Sequence, residues 1–138
     1  MLGRLLMGGG SFSDSLRAEL TAEGLDQEEE GIRGTVTYRD YRAPHRRSKW
    51  RRQWIRAALA ITDRRLLVAI RGRPFVDVPW DDPGLERMEV SVGDDDRLLM
   101  AFDPALFDER SSGRIELRLR TVHPRLALEQ IRARMPDA

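Results

Sequence analysis

From residue 32 onward, apolar and polar positions alternate with a period of two, and turn clusters of Gly, Pro, Asp and Arg interrupt the alternation at short intervals. Such a pattern belongs to a series of half-buried antiparallel strands. It predicts seven of them, over residues 32–41, 50–61, 66–71, 75–79, 85–92, 97–103 and 114–122. The second is the most informative. Ile55, Ala57, Leu59 and Ile61 fall on one face, and Trp54, Arg56, Ala58 and Ala60 on the other. The last alternates cleanly, with Ile115, Leu117 and Leu119 inward and Glu116, Arg118 and Arg120 outward. Thr62-Asp63-Arg64-Arg65, Asp81-Asp82-Pro83-Gly84 and Gly93-Asp94-Asp95-Asp96 read as turns.

A helical period flanks the strands on both sides. Phe12, Leu16 and Leu20 recur every four residues and predict a short helix over about 13–23, with Ser11 and Asp14 resembling a capping box and Gly24 as its stop. Pro124 suits a first helical turn, and Leu128, Ile131 and Met135 give the following helix one apolar face. The expected order is therefore helix, seven strands, helix. Residues 1–10 are expected as a flexible N-terminus, 11–31 as a mobile helical head with an acidic connector, and 32–136 as the main domain. The connector, Asp26 to Glu30, reads as a solvated linker or as a shield for basic residues elsewhere in the chain.

Composition narrows the class without changing that picture. The chain has 138 residues, enough for one domain with its own core, and its 41% hydrophobic and 34% charged content is that of a well-charged globular protein. Cysteine is absent, which removes disulfides, thiol catalysis and cysteine-based zinc sites. No apolar run approaches a membrane span, the first ten residues are too short in apolar content for a secretory leader, and Leu at position 2 does not suit myristoylation. The expected location is cytoplasmic, with peripheral attachment to a membrane as the variant.

Charge is balanced overall, with 24 basic and 23 acidic residues, but it is segregated locally. Between Tyr41 and Thr62 lie Arg42, Arg46, Arg47, Lys49, Arg51, Arg52 and Arg56, with His45, Trp50 and Trp54 among them and no Asp or Glu. Concentrated positive charge attracts phosphate, acidic headgroups or an acidic protein surface.

The segment LAITDRRLLVAIRGRPFVDVPWDDPGLERMEV (residues 59–90) resembles the signature of bacterial pleckstrin-homology-like and GRAM-related domains. The residues that carry the resemblance are Thr62, Asp63, Arg64, Arg65, Leu66, Leu67, Pro79, Trp80, Leu85, Glu89 and Val90. It extends over roughly residues 32–135. It implies a mainly β, PH-like seven-stranded antiparallel barrel or sandwich capped by a C-terminal helix, here with a short N-terminal helix added. In this reading Asp63 bonds its own turn backbone, and the first-to-second strand loop is longer and more charged than is usual for the family.

In phosphoinositide-binding relatives the ligand lies against the first hairpin. The resemblance therefore implies Arg39, Arg42, Arg46, Arg47, Lys49, Arg51, Arg52 and Trp54 as ligand-binding residues. On a strand Lys49 and Arg51 share a face, as do Arg52 and Trp54. The role expected first is a non-catalytic binding or scaffolding module mediating protein interactions or self-association. The alternative is binding of anionic phosphate groups, acidic lipid headgroups ahead of nucleic acid, through the Arg-rich hairpin. Nucleic acid is disfavoured by the near-zero net charge and the lack of a recognition helix, an RNP motif or a zinc finger. Trp residues on strands are expected in packing. No nucleophile lies near His45 or His123, the Gly8-Gly9-Gly10 run lacks the context of a phosphate-cradling loop, and Asp94 to Asp96 read as a turn rather than a calcium loop. No enzymatic activity, cofactor, metal or small-molecule substrate is expected.

Overall fold

The structure, a computed structural model, describes residues 10–135. The expectation for the first ten residues falls outside them apart from Gly10, and so does residue 136. A short helix α1 (Asp14–Ala22) precedes seven strands: β1 (Leu25–Ala43), β2 (Arg46–Thr62), β3 (Arg65–Ile70), β4 (Arg73–Pro79), β5 (Glu89–Val92), β6 (Leu98–Phe102) and β7 (Ser112–Leu119). Helix α2 (Pro124–Arg134) follows. The strands form one antiparallel sheet in the order β4-β3-β2-β1-β7-β6-β5. The sheet curls into a half-barrel, consistent with the PH-like fold expected from the sequence.

The concave side holds the main core. Alternate positions of β2 (Ala57, Leu59, Ile61) and β7 (Ile115, Leu117, Leu119) point into it. Ala127 and Ile131 of α2, both fully buried, cover one end against β5 and β6. Pro124 opens α2 as expected, while His123 sits at the N-cap position with no side-chain capping bond. Arg132 and Arg134 in the last turn oppose the negative end of the helix dipole.

A second, smaller core lies on the convex side, where the sequence reading placed a mobile head. Helix α1 is docked there. Leu20, fully buried, and Phe12 pack on Ala58 and Ala60 of β2 and Leu67 and Ala69 of β3. Small side chains on the outer face of these strands let the helix approach closely. The N-cap is Ser13, whose Oγ accepts from Leu16 N at 3.2 Å, rather than Ser11. Gly24 follows the helix at φ +86°, the left-handed stop that glycine favours.

The acidic connector is not a linker but the first third of β1. Leu25, Gln27, Glu28 and Glu29 pair with Thr62, Ile61, Ala60 and Leu59, through irregularities on either side of the Gln27–Glu29 stretch. Its carboxylates are used locally. Glu30 takes a two-pronged bond from Arg17 of α1 at 2.7 and 2.8 Å, Glu29 accepts from Val122 N, and Asp26 pairs with Arg134. None reaches the Arg-rich segment, so shielding in cis does not occur among the described residues.

Two other expectations change for local reasons. The fifth strand is shorter than expected because Asp82 accepts from Gly84 N at 2.7 Å and Pro83 opens a 3-10 turn, Pro83–Arg87, leaving only four residues to pair. In the turn after β2, the bond to backbone comes from Thr62 and not Asp63. Thr62 Oγ1 accepts from Arg64 N at 3.1 Å and Arg65 N at 3.0 Å, and Trp80 Nε1 donates to Thr62 O at 2.8 Å. Asp63 instead pairs with Arg134 at 2.8 Å.

Candidate functional site

The candidate site is the β1–β2 hairpin beyond the core. Gln53 is half-buried and Trp54 exposed, while from Ile55 onward the inward positions of β2 are buried. The distal part therefore stands clear of the sheet's packed region. Its strands stay in register to the tip, with Tyr38 opposite Arg51, Arg39 opposite Trp50, and Arg42 opposite Arg47. Pro44 and His45 make the turn, His45 at φ +64°. Gly113 of β7 lets the neighbouring strand follow this bend. It has φ +118°, and a Cβ there would meet Asp40 O at 2.5 Å.

The concave side of the hairpin carries a cleft of about 210 Å³ whose lining includes Tyr38, Tyr41, His45, Arg46, Arg47 and Arg51. The two tyrosine rings meet edge to face, centroids 5.0 Å apart. Burial lifts the Tyr38 hydroxyl above its ordinary range, Tyr41 adds to that, and the charges of Arg51 and Arg46 oppose it. Tyr38 is therefore a neutral hydrogen-bond donor near neutral pH, flanked by cations. A second cleft of about 300 Å³ shares Tyr38 and Gln53 and brings in Arg71 and Arg73 from the β3–β4 turn. The two clefts adjoin at Tyr38 and Gln53, and no carboxylate lines either.

The convex side differs. Trp50 and Trp54, expected in packing, are 54% and 74% exposed. They lie on the outward face with Arg52, whose guanidinium carbon is 5.3 Å from the Trp50 ring centroid. Arg39 is also on this side and is committed elsewhere. Its Nε donates to Glu116 Oε1 at 2.8 Å, and Arg114 and Arg118 crowd the same carboxylate. Burial alone would raise the Glu116 pKa, but the hydrogen bonds from Arg39 and Arg114 and the charge of Arg118 hold it below its ordinary value.

The eight residues singled out by sequence thus separate. Arg46, Arg47 and Arg51 converge in the concave cleft, Arg42 and Lys49 are exposed toward the tip, Arg52 and Trp54 face outward, and Arg39 is neutralised by Glu116. Among the described residues, Arg42, Arg46, Arg47, Lys49, Arg51 and Arg52 have no ion-pair partner. Sequence reasoning missed Tyr38, Tyr41, Arg71 and Arg73. The two tyrosines could have been found from their place beside the basic run, but the contribution of the β3–β4 turn depends on the curl of the sheet.

Asp94 to Asp96 form the expected turn, with Asp96 N bonded to Gly93 O at 3.0 Å, and the described residues contain no cluster of metal-ligating side chains. No helix among them is long and apolar enough to cross a membrane. Neither family models nor curated proteins give a match to this chain.

Proposed function

We propose that this chain is a non-catalytic PH-like binding module whose β1–β2 hairpin takes up phosphate-bearing anions at the surface of an acidic membrane. The observation that carries this reading is the convergence of Arg46, Arg47 and Arg51 with the Tyr38 and Tyr41 side chains in one cleft that no carboxylate lines. Arginine donates paired N–H bonds to phosphate oxygens, and a tyrosine hydroxyl adds a neutral donor. The unpaired cations around the tip supply the long-range part, roughly 1 kcal/mol for each basic residue near an anionic bilayer. Trp50 supports the same reading, because an exposed indole near a basic tip suits the headgroup region.

Co-sedimentation with vesicles tests it. Binding to vesicles containing anionic lipid, absence of binding to neutral vesicles, and loss of binding in Arg46/Arg47/Arg51→Ala are the expected results. Equal behaviour on neutral and anionic vesicles would overturn the reading. A protein-docking role remains the second reading, and the exposure of Trp54 favours it, since a large solvent-facing indole is common at protein interfaces.

A further inference from the structure

Away from the hairpin cleft, the register of the sheet creates a feature that no stretch of sequence contains. Arg56 of β2 is the direct cross-strand neighbour of Arg33 of β1. Arg120, just past β7, donates its backbone N–H to Arg33 O at 2.8 Å. Leu98 pairs with Leu119, which sets Arg97 beside Arg120 at the edge of β6. Four arginines therefore form one row across four adjacent strands on the convex face, and at the inter-strand spacing the row spans roughly 14 Å. Gly34 makes this approach possible, since a Cβ there would meet Arg118 O at 2.2 Å.

Among the described residues, three of the four arginines lack a counter-charge: Arg33, Arg56 and Arg120 have no ion pair, and Arg97 has only Asp95 at 3.8 Å. The four line a shallow groove of about 370 Å³ together with Trp54. The Trp54 ring makes no aromatic or cation contact among the described residues, and the Arg52–Trp50 stack lies farther along the same face of β2. Like charges placed directly opposite one another oppose folding. A face that keeps four of them beside an open indole is suited to a ligand that brings several negative charges and flat rings together.

The geometry points to single-stranded nucleic acid as that ligand, with its phosphates on Arg33, Arg56, Arg97 and Arg120 and a base stacked on Trp54. Backbone-tracking cations beside aromatic platforms are the means by which proteins hold single strands without reading sequence. An acidic peptide would satisfy the arginines but would leave the Trp54 face without a flat partner. The surface is separate from the concave cleft, so either proposal can fail without the other.

The test is fluorescence anisotropy of a labelled mixed-sequence single-stranded oligonucleotide with the full chain at 50 and 200 mM salt. With four phosphate contacts, affinity should fall roughly 50-fold between those concentrations. Read in the Arg46/Arg47/Arg51→Ala background, so that phosphate uptake at the concave cleft does not contribute, Arg33→Thr/Arg120→Thr should abolish most binding and flatten the salt dependence, and Trp54→Ala should weaken binding roughly tenfold. Removing like charges should not unfold the sheet, so a thermal melt of Arg33→Thr/Arg120→Thr no less stable than the parent separates lost binding from lost structure. The proposal is overturned by absence of binding at 50 mM salt, by binding that survives the row substitutions, by equal competition from polyglutamate, or by ATP binding the row while the oligonucleotide does not.

Discussion

Glu116 of β7 accepts a hydrogen bond from the Nε of Arg39 at 2.8 Å, across the β1–β7 pairing, and is the shared counter-charge for Arg114 and Arg118 as well. Burial disfavours the Glu116 carboxylate, but the arginines outweigh it and its pKa lies below the ordinary value of 4.5. A depressed carboxylate contributes stability that is fully present above its unfolded pKa and is lost as pH falls through the folded one. Glu116→Gln is therefore expected to cost about 1–3 kcal/mol at neutral pH. The gap between variant and parent should close as pH drops below 4.5, as read from urea midpoints across pH.

The docking of α1 on the outer face of β2 and β3 rests on Leu20, which is fully buried against Ala58, Ala60, Leu67 and Ala69. Leu20→Ala removes that contact and leaves a cavity, at an expected cost of about 2–4 kcal/mol by chemical denaturation. If the helix were a detached head, the substitution would change stability by no more than a few tenths of a kcal/mol, as exposed sites do.

Arg65 fixes the other end of the same helix. Its guanidinium, largely buried, holds Glu23 at 2.8 Å and Asp77 of β4 at 3.2 Å, and its pKa is raised because those partners outweigh the cost of burial. Arg65→Met keeps an unbranched apolar stem but leaves Glu23 without its cation. The expected result is a loss of about 1–3 kcal/mol and faster amide exchange in α1 than in β7.

The convex arginine row should oppose folding. Arg33→Thr or Arg56→Thr is expected to stabilise the chain by about 0.2–1 kcal/mol, the size of a cross-strand like-charge penalty. The gain should shrink in high salt, where exposed charges are screened. A thermal melt at two salt concentrations reads both. A substitution that stabilises the fold while removing a ligand contact is the pattern expected of residues retained for binding.

Much of the architecture was legible from the residues. The period-two pattern with turn clusters gave seven strands in order, and Pro124 with Leu128 and Ile131 gave the closing helix. What escaped reading depended on contacts distant in sequence. Ala58 and Ala60 are apolar on a face where an exposed strand carries polar residues, and that was the available sign that something covers β2; small side chains made it faint. The Asp26–Glu30 carboxylates looked like a linker because their charge hid the backbone pairing of this stretch with residues 59–62. In the turn after β2, Thr62 and Asp63 could both cap, and geometry chose the threonine once Arg134 of α2 claimed the aspartate. For the candidate site, the basic run itself was visible. The separation of Arg51 from Arg52 and Trp54 was visible as well, but the convergence of Arg46 and Arg47 with Arg51 was not, because backbone bending around Asp40 and His45, both at positive φ, changes which side chains share a side near the tip. The row joining Arg33 and Arg56 to Arg97 and Arg120 exists only through β1–β7 and β6–β7 register, so no local signal could have disclosed it.

The central claim is that Arg46, Arg47 and Arg51, converging beside Tyr38 and Tyr41, form an anion-binding cleft. The most direct measurement is co-sedimentation of the parent chain and Arg46/Arg47/Arg51→Ala with anionic and neutral vesicles at physiological salt. The account predicts that the parent pellets with anionic vesicles alone and that the variant stays in the supernatant while keeping its fold by circular dichroism. A folded variant that pellets as well as the parent would contradict it.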